Sequence, residues 1–136
     1  MSVFVCYSSE DRKYVDGLKS LSNDQSNIDI WASHVDKVPV GDNYESFIEE
    51  KIKSSQGAIL LVSSYFLDSD FINRVELPLI FECFNNQDFH LEIVLIEECD
   101  YKSNPYLNNV QFSNSESTTL DSLSSSLYSL VIKDLL

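Results

Sequence analysis

Few side chains in this sequence could do chemistry, and their spacing removes most of the familiar options. Only two histidines occur, His34 and His90, in separate segments, so a histidine triad or a zinc centre is poorly supported. A solvated loop residue is the plainer reading of His34. Glu97, Glu98 and Asp100 suit a solvated acidic loop better than a cation site, and no metal is expected. The three cysteines, Cys6, Cys83 and Cys99, lack metal-type spacing, and the first and second sit inside apolar runs, as buried reduced thiols do. Phosphate-cradling loops need glycines; the chain has only three, and its first apolar run is followed by Tyr7-Ser8-Ser9-Glu10-Asp11 instead of a glycine-rich turn. What remains are hydroxyls and carboxylates, whose spacing by itself assigns no chemistry. Each has a structural reading too: serines cap helices, and a glutamate just before Pro78 suits a helix start.

Charge narrows the partners. The 136 residues carry 9 basic and 22 acidic side chains, a net charge of −13. Nucleic acid and anionic membranes want a basic face, which nine scattered cations do not make. An anionic ligand would have to be held by backbone amides and one or two local cations. No apolar run is long enough to span a bilayer, and Met1-Ser2-Val3-Phe4 does not open a signal peptide, so a cytoplasmic protein is expected. The length fits one domain over 1–136.

The elements that must position these groups alternate between strand and helix. Val3–Tyr7 (VFVCY) reads as a strand buried on both faces. Ser8 to Asp11 supplies a cap and first-turn acids, and Tyr14, Val15, Leu18 and Leu21 recur at helical spacing. Ile28–Trp31 is a short second strand after a polar loop from Ser22 to Asn27. The long loop from Ala32 to Asn43 exceeds the usual connection length, which favours a functional role. Asp42 or Asn43 can cap the next helix, with Phe47, Ile48 and Ile52 on its apolar stripe. Gly57–Val62 (GAILLV) is the most apolar strand and is predicted to be central. Ser63 to Asp70 is predicted to be a loop or a loose turn, and Phe71 to Phe84 a helix that breaks or restarts near Pro78. His90–Ile96 is a fourth strand, Val110–Phe112 a short fifth, and Ser115–Leu136 a final helix with Leu120, Leu123, Leu127, Leu130 and Val131 facing inward. The alternation argues a parallel sheet covered on both faces, and the expected fold is an α/β, flavodoxin-like three-layer sandwich with a five-stranded parallel sheet of assumed order 2-1-3-4-5.

In that order the ligand crevice lies at the carboxyl ends of strands 1 and 3. Tyr7 to Asp11 and Ser63 to Asp70, the latter leading into Glu76, face it, with the Ala32 to Asn43 loop beside them. A phosphoacceptor receiver of this topology would close strand 3 with an aspartate, where Ser63 stands.

Three segments in order resemble bacterial Toll/interleukin-1 receptor (TIR) domains over nearly the whole chain. VFVCYSSED is similar to the family's F-hydrophobic-SYS-x-x-D opening. IDIW followed by DKVPVGDNY is similar to its second strand and long loop. AILLVSSYFLDSDFINRVELP resembles its serine-ended central strand and the S-x-F-x-x-S-x-[WF]-hydrophobic-x-x-x-E segment after it.

Many members of that family cleave the bond between nicotinamide and ribose in NAD+, while others only assemble signalling complexes. The resemblance places the essential glutamate of the cleaving members on Glu76, with Ile72 four residues before it where tryptophan is common; the adjacent Phe71 can substitute as a stacking ring. It implies that Tyr7, Phe71 or Tyr65 stacks on nicotinamide or adenine, and that amides after strand 1, with Arg12 or Arg74, meet the phosphates. Ser8, Ser9 and Ser63 are substrate-binding or capping residues. Trp31 reads as a packing residue, and Asp36, Lys37 and Gly41 serve either ligand contact or self-association. The implied function is an NAD+ glycohydrolase or cyclase of antiphage immunity, with NAD+ as substrate and no separate cofactor. It would be off until homo-oligomerised through TIR–TIR contacts or triggered by a separate effector or sensor. The alternative from another class is a non-catalytic scaffold acting by homotypic association.

Overall fold

The computed structural model describes residues 1–22, 28–33, 41, 43–86, 88–120, 131 and 133. Four strands, β1 (Ser2–Cys6), β2 (Asp29–Trp31), β3 (Gly57–Val62) and β4 (His90–Leu95), form one parallel sheet in the order β2-β1-β3-β4. The alternation along β1 divides the core. Val3 and Val5 face α1 (Arg12–Ser22) through Val15 and Leu18, and that layer also takes in Leu120 and Val131. Phe4 and Cys6 face the opposite layer, with Ile48 and Ile52 of α2 (Tyr44–Ser54), Phe66 of α3 (Ser64–Asp68) and Leu77 and Ile80 of α4 (Leu77–Asn86). Every residue of β3 is buried, as a central strand covered on both sides requires. Each fully buried Leu or Ile there contributes about 1.5–3 kcal/mol. Gly57 opens β3 because a Cβ there would lie 2.6 Å from the His90 carbonyl oxygen of the neighbouring strand. Trp31 packs on Phe4, ring centroids 5.7 Å apart, as a packing residue would.

Four of the predicted elements came out differently. The fifth strand is absent among the described residues: Val110–Phe112 is irregular. The chain does run along the outer edge of β4, where the Ser113 N–H donates to the Ile93 carbonyl at 2.7 Å. There Asn114 substitutes its side-chain amide for a strand backbone. Its Oδ1 accepts from the Leu95 N–H and its Nδ2 donates to the Leu95 carbonyl, at 2.7 and 2.8 Å. Ser115–Thr118 is a turn and not a helix start, because its hydroxyls bond the local backbone. Leu120 is helical; most of the predicted final helix lies outside the described residues, as do the loop over 23–27 and most of that over 34–42.

The segment after β3 is not a loop. Ser63 caps α3 by accepting from the Phe66 N–H at 3.2 Å. Nor does Pro78 break the helix that follows. Residues Ile72–Glu76 form a π-helical turn, with the Leu77 N–H donating to the Ile72 carbonyl, and α4 continues from it. Proline lacks an N–H and its ring crowds the carbonyl of the preceding turn; widening that turn by one residue accommodates both demands without ending the helix.

Candidate functional site

The loops at the carboxyl ends of β1 and β3 are tied together beneath the surface. After β1, Ser8 accepts from the Glu10 N–H at 3.3 Å and starts the short 3-10 turn Ser9–Asp11. That turn buries the Asp11 carboxyl, which accepts from the Ser63 hydroxyl at 2.5 Å. Burial pushes the Asp11 carboxyl above its ordinary value, the bond from Ser63 opposes that, and the charges of Glu97 and Glu10 add to it. Ser63 thus links the two loops and caps α3 at once, with no exposed surface of its own.

Above this tie lies a cleft of about 640 Å³, walled by Val5, Tyr7, Ser8, Ser9, Ser33, Tyr44, Ser69, Phe71, Ile72 and Glu76. One side is aromatic: Tyr44, half-exposed at the start of α2, packs against Phe71 with ring centroids 5.3 Å apart. Asn43 fixes that helix start by accepting from the Ser46 N–H at 3.0 Å. The Tyr7 hydroxyl stands 3.3 Å from that of Ser33.

At the floor is Glu76, 7% exposed. Ile72 and Glu76 are four residues apart on the π turn, so they share the face turned to the cleft. Burial pushes the Glu76 carboxyl up to about 8, against a hydrogen bond from the Cys6 thiol that favours the ionised form. The Cys6 thiol is itself raised well above its ordinary value, first by burial and then by Glu76, so it remains a protonated donor. A carboxyl so placed is neutral in neutral solution and ionises when a cation enters beside it. Such a group can meet a developing positive charge with its two oxygens.

Six of the sequence candidates meet in this cleft: Tyr7, Ser8, Ser9, Phe71, Ile72 and Glu76. Ser63 lies beneath it and does not line it. Gly41 does not line it either; its φ of 93° is a backbone conformation that glycine adopts without strain. Asp36 and Lys37 lie outside the described residues. Arg74 bridges Glu45 and Asp70 at the surface, 3.2 Å from each, and Arg12 donates to the Ser9 carbonyl at 3.2 Å. Sequence reasoning missed Tyr44, Ser33 and Ser69 as wall residues, Asp11 as the partner of Ser63, and Cys6 as a group that acts on Glu76. The signal for the first three was topological, since each sits where a strand-end connection meets an element. For the last two it was weak, because a first-turn acid and an apolar-strand cysteine read as structural.

A family model described as "TIR domain" matches residues 3–125. Among solved structures the chain is similar to the TIR domains of the activated Roq1 resistosome that recognises the pathogen effector XopQ, at TM-score 0.81, 16% identity and 99% coverage of both chains. It is also similar to the TIR domain of the Toll-related receptor TRR-2 from Hydra magnipapillata, at TM-score 0.66 and 18% identity, covering 92% of this chain and 96% of that one. A prokaryotic SEFIR domain follows at TM-score 0.57 and 15% identity, covering 96% and 91%. No curated protein matches the chain in sequence.

Proposed function

Because the chain belongs to the TIR domain family, we propose that it cleaves the nicotinamide–ribose bond of NAD+, with Glu76 as the catalytic carboxylate. The observation that carries this reading is a buried glutamate at the floor of a nucleotide-sized cleft walled by aromatic rings. Entry of the cationic nicotinamide riboside end draws the proton off Glu76. The carboxylate then holds the ribose hydroxyls and stabilises the oxocarbenium ion as the C–N bond breaks. The bonding pair leaves with nicotinamide, which departs neutral and needs no general acid. Water then bonds to the ribosyl carbon and releases a proton, giving ADP-ribose; capture by a group of the same molecule gives a cyclic product instead. Phe71 and Tyr44 stack on a ring of the substrate, Tyr7, Ser8, Ser9 and Ile72 line its path, and amides at the β1 end meet the phosphates. Asp36, Lys37 and Gly41 contribute through the long loop, to ligand or to a second copy, and Ser63 supports the site from below. The setting we propose is cytoplasmic antiphage immunity, with activity released by homotypic association or by a separate effector or sensor protein.

A second reading is a TIR scaffold without catalysis. The resistosome likeness favours association as the first event in either case, since those TIR domains come from an activated assembly. Chromatographic measurement of NAD+ and its products separates the two, with the wild type at high concentration beside Glu76→Ala and Glu76→Gln. Nicotinamide release by the wild type alone supports catalysis, and the second product distinguishes hydrolase from cyclase. Equal silence of all three, even when tethered into clusters, favours the scaffold.

A further inference from the structure

After β4 the chain makes a short 3-10 turn, Tyr101–Ser103, and then packs back on the helix that follows Glu76. Leu107 is buried in the same cluster as Leu77 and Ile80 of α4, and Tyr106 stacks on Phe81 with ring centroids 5.5 Å apart. From this loop Asn104, 8% exposed, reaches the π turn on the other side of Glu76: its Nδ2 donates to the Oδ1 of Asn73 at 2.8 Å. Asn73 in turn donates through its Nδ2 to the carbonyls of Leu67 and Ser69, at 3.0 and 2.8 Å. Those carbonyls can only accept, so they fix the Asn73 amide and leave its oxygen to Asn104. The Tyr106 N–H can only donate, and at 2.9 Å it takes the Asn104 oxygen. The orientation of both amides is therefore determined by chemistry, and each of their polar ends has a partner.

We infer that Asn104 is a positioning residue for the cleft: acting through Asn73, it ties the turn that carries Ile72 and Glu76 to the loop after β4. The tie reaches three residues of the cleft wall. The Ser69 carbonyl accepts the Asn73 backbone N–H at 3.2 Å as well as its side chain, and the Ser69 hydroxyl accepts from the Ile72 N–H at 3.3 Å. Ile72 and Glu76 follow on the same turn, which the Leu77 N–H closes on the Ile72 carbonyl. Together with the stack of Tyr106 on Phe81, the bond to Asn73 lets one loop grip the helix on both sides of Glu76. A π turn is a rare geometry, and a group that acts on substrate has to be held within about 0.5 Å by the residues behind it. Asn73 and Asn104 do not line the cleft, so they set the aim of Glu76 without touching what binds there.

The kinetic part of this inference rests on the glycosidase reading; its first test does not. Asn104→Asp keeps the shape and the oxygen that accepts from Tyr106, and replaces the donor to Asn73 by an acceptor. Amide hydrogen exchange followed by NMR is expected to quicken roughly 5- to 20-fold at Asn73 and Leu77, whose N–H groups are bonded within the turn, while the amides of β1 and β3 keep the wild-type rate. Asn73→Ala removes the same bond from the other side, at a half-buried position, and covers the case in which the buried carboxyl of Asn104→Asp prevents folding. In the Asn73→Ala background Asn104→Asp should add nothing further, because Asn104 acts through that side chain. If the protein cleaves NAD+, kcat falls roughly 10- to 100-fold in Asn104→Asp and KM moves less than about 3-fold, since the rings of the cleft stay in place. Exchange at Asn73 and Leu77 that matches the wild type, or that quickens in step with the strands, would overturn the inference even with an active enzyme. An active enzyme whose kcat is unchanged in Asn104→Asp would overturn it as well. A wild type inert toward NAD+ even when tethered into clusters, with faster exchange confined to the turn in Asn104→Asp, would support the tie and overturn the glycosidase reading.

Discussion

Replacing Glu76 by glutamine should make the protein more resistant to alkali, and the size of the effect follows from burial. The folded protein holds the Glu76 proton up to about pH 8, whereas the ordinary carboxyl releases it near 4.5. Between those values the folded state binds more protons than the unfolded one. The stability associated with this group is therefore fully present below pH 4.5 and is lost as pH rises to 8. Three and a half pH units at 1.36 kcal/mol each amount to about 5 kcal/mol, an upper bound because water entry relaxes a buried charge. That is comparable with the whole stability of many domains of this size, about 5–15 kcal/mol. Glutamine keeps the shape and cannot ionise. Urea unfolding of wild type and Glu76→Gln, followed by circular dichroism from pH 5 to 9.5, measures the difference directly. The other titrating groups, and the self-repulsion of a net charge of −13, are common to both proteins and cancel in the comparison. The two should be similar in stability near pH 5, and the wild type should fall behind by several kcal/mol at pH 9. A gap that stays constant across this range would refute the assignment of a buried, proton-retaining Glu76.

Two further outcomes follow from the same geometry. Ser63→Ala removes the cap on the Phe66 N–H and strips the buried Asp11 carboxyl of its 2.5 Å bond, so urea unfolding should show a loss of about 2–4 kcal/mol; a loss under about 0.5 kcal/mol would mean water replaces the hydroxyl. Tyr44→Ala opens the aromatic wall against Phe71 at a half-exposed position, so the proposed enzyme should fold normally while its KM for NAD+ rises roughly 3- to 10-fold in steady-state assays; an unchanged KM would remove Tyr44 from the substrate path.

The cleft also illustrates how a widened helical turn serves a site. Pro78 is two residues beyond Glu76, and the turn it widens is the one that carries both Ile72 and Glu76. π turns of this kind are frequent at functional sites, because they re-aim side chains without ending the helix. The expectation of a break or restart at Pro78 came from its missing N–H and from the restriction it puts on Leu77. The buried face of α4, with Leu77, Ile80 and Phe81 against the sheet, supplies the packing that makes a widened turn cheaper than an interruption.

Local pattern alone was enough to read the layered α/β architecture and the first four strands; their order was assumed, and the sheet has it. Continuous apolar strands such as GAILLV and the helical stripe of α1 are decided by burial period, and that period is written residue by residue. That Tyr7, Ser8 and Ser9 share a crevice with the segment leading into Glu76 followed from the assumed order, while Glu76, Phe71 and Ile72 themselves were singled out by the family resemblance. The rest depended on tertiary contact. Asn114 fills the edge of β4 with a side chain, Ser63 and Asp11 join across 52 positions of sequence, and Cys6 finds Glu76 from a distant strand. None of these leaves a periodic trace, because each joins two residues that only the closed sheet brings within bonding distance. Sequence pattern set the faces of the elements; the packing of those faces decided which polar groups would be buried, and so where a carboxyl would keep its proton.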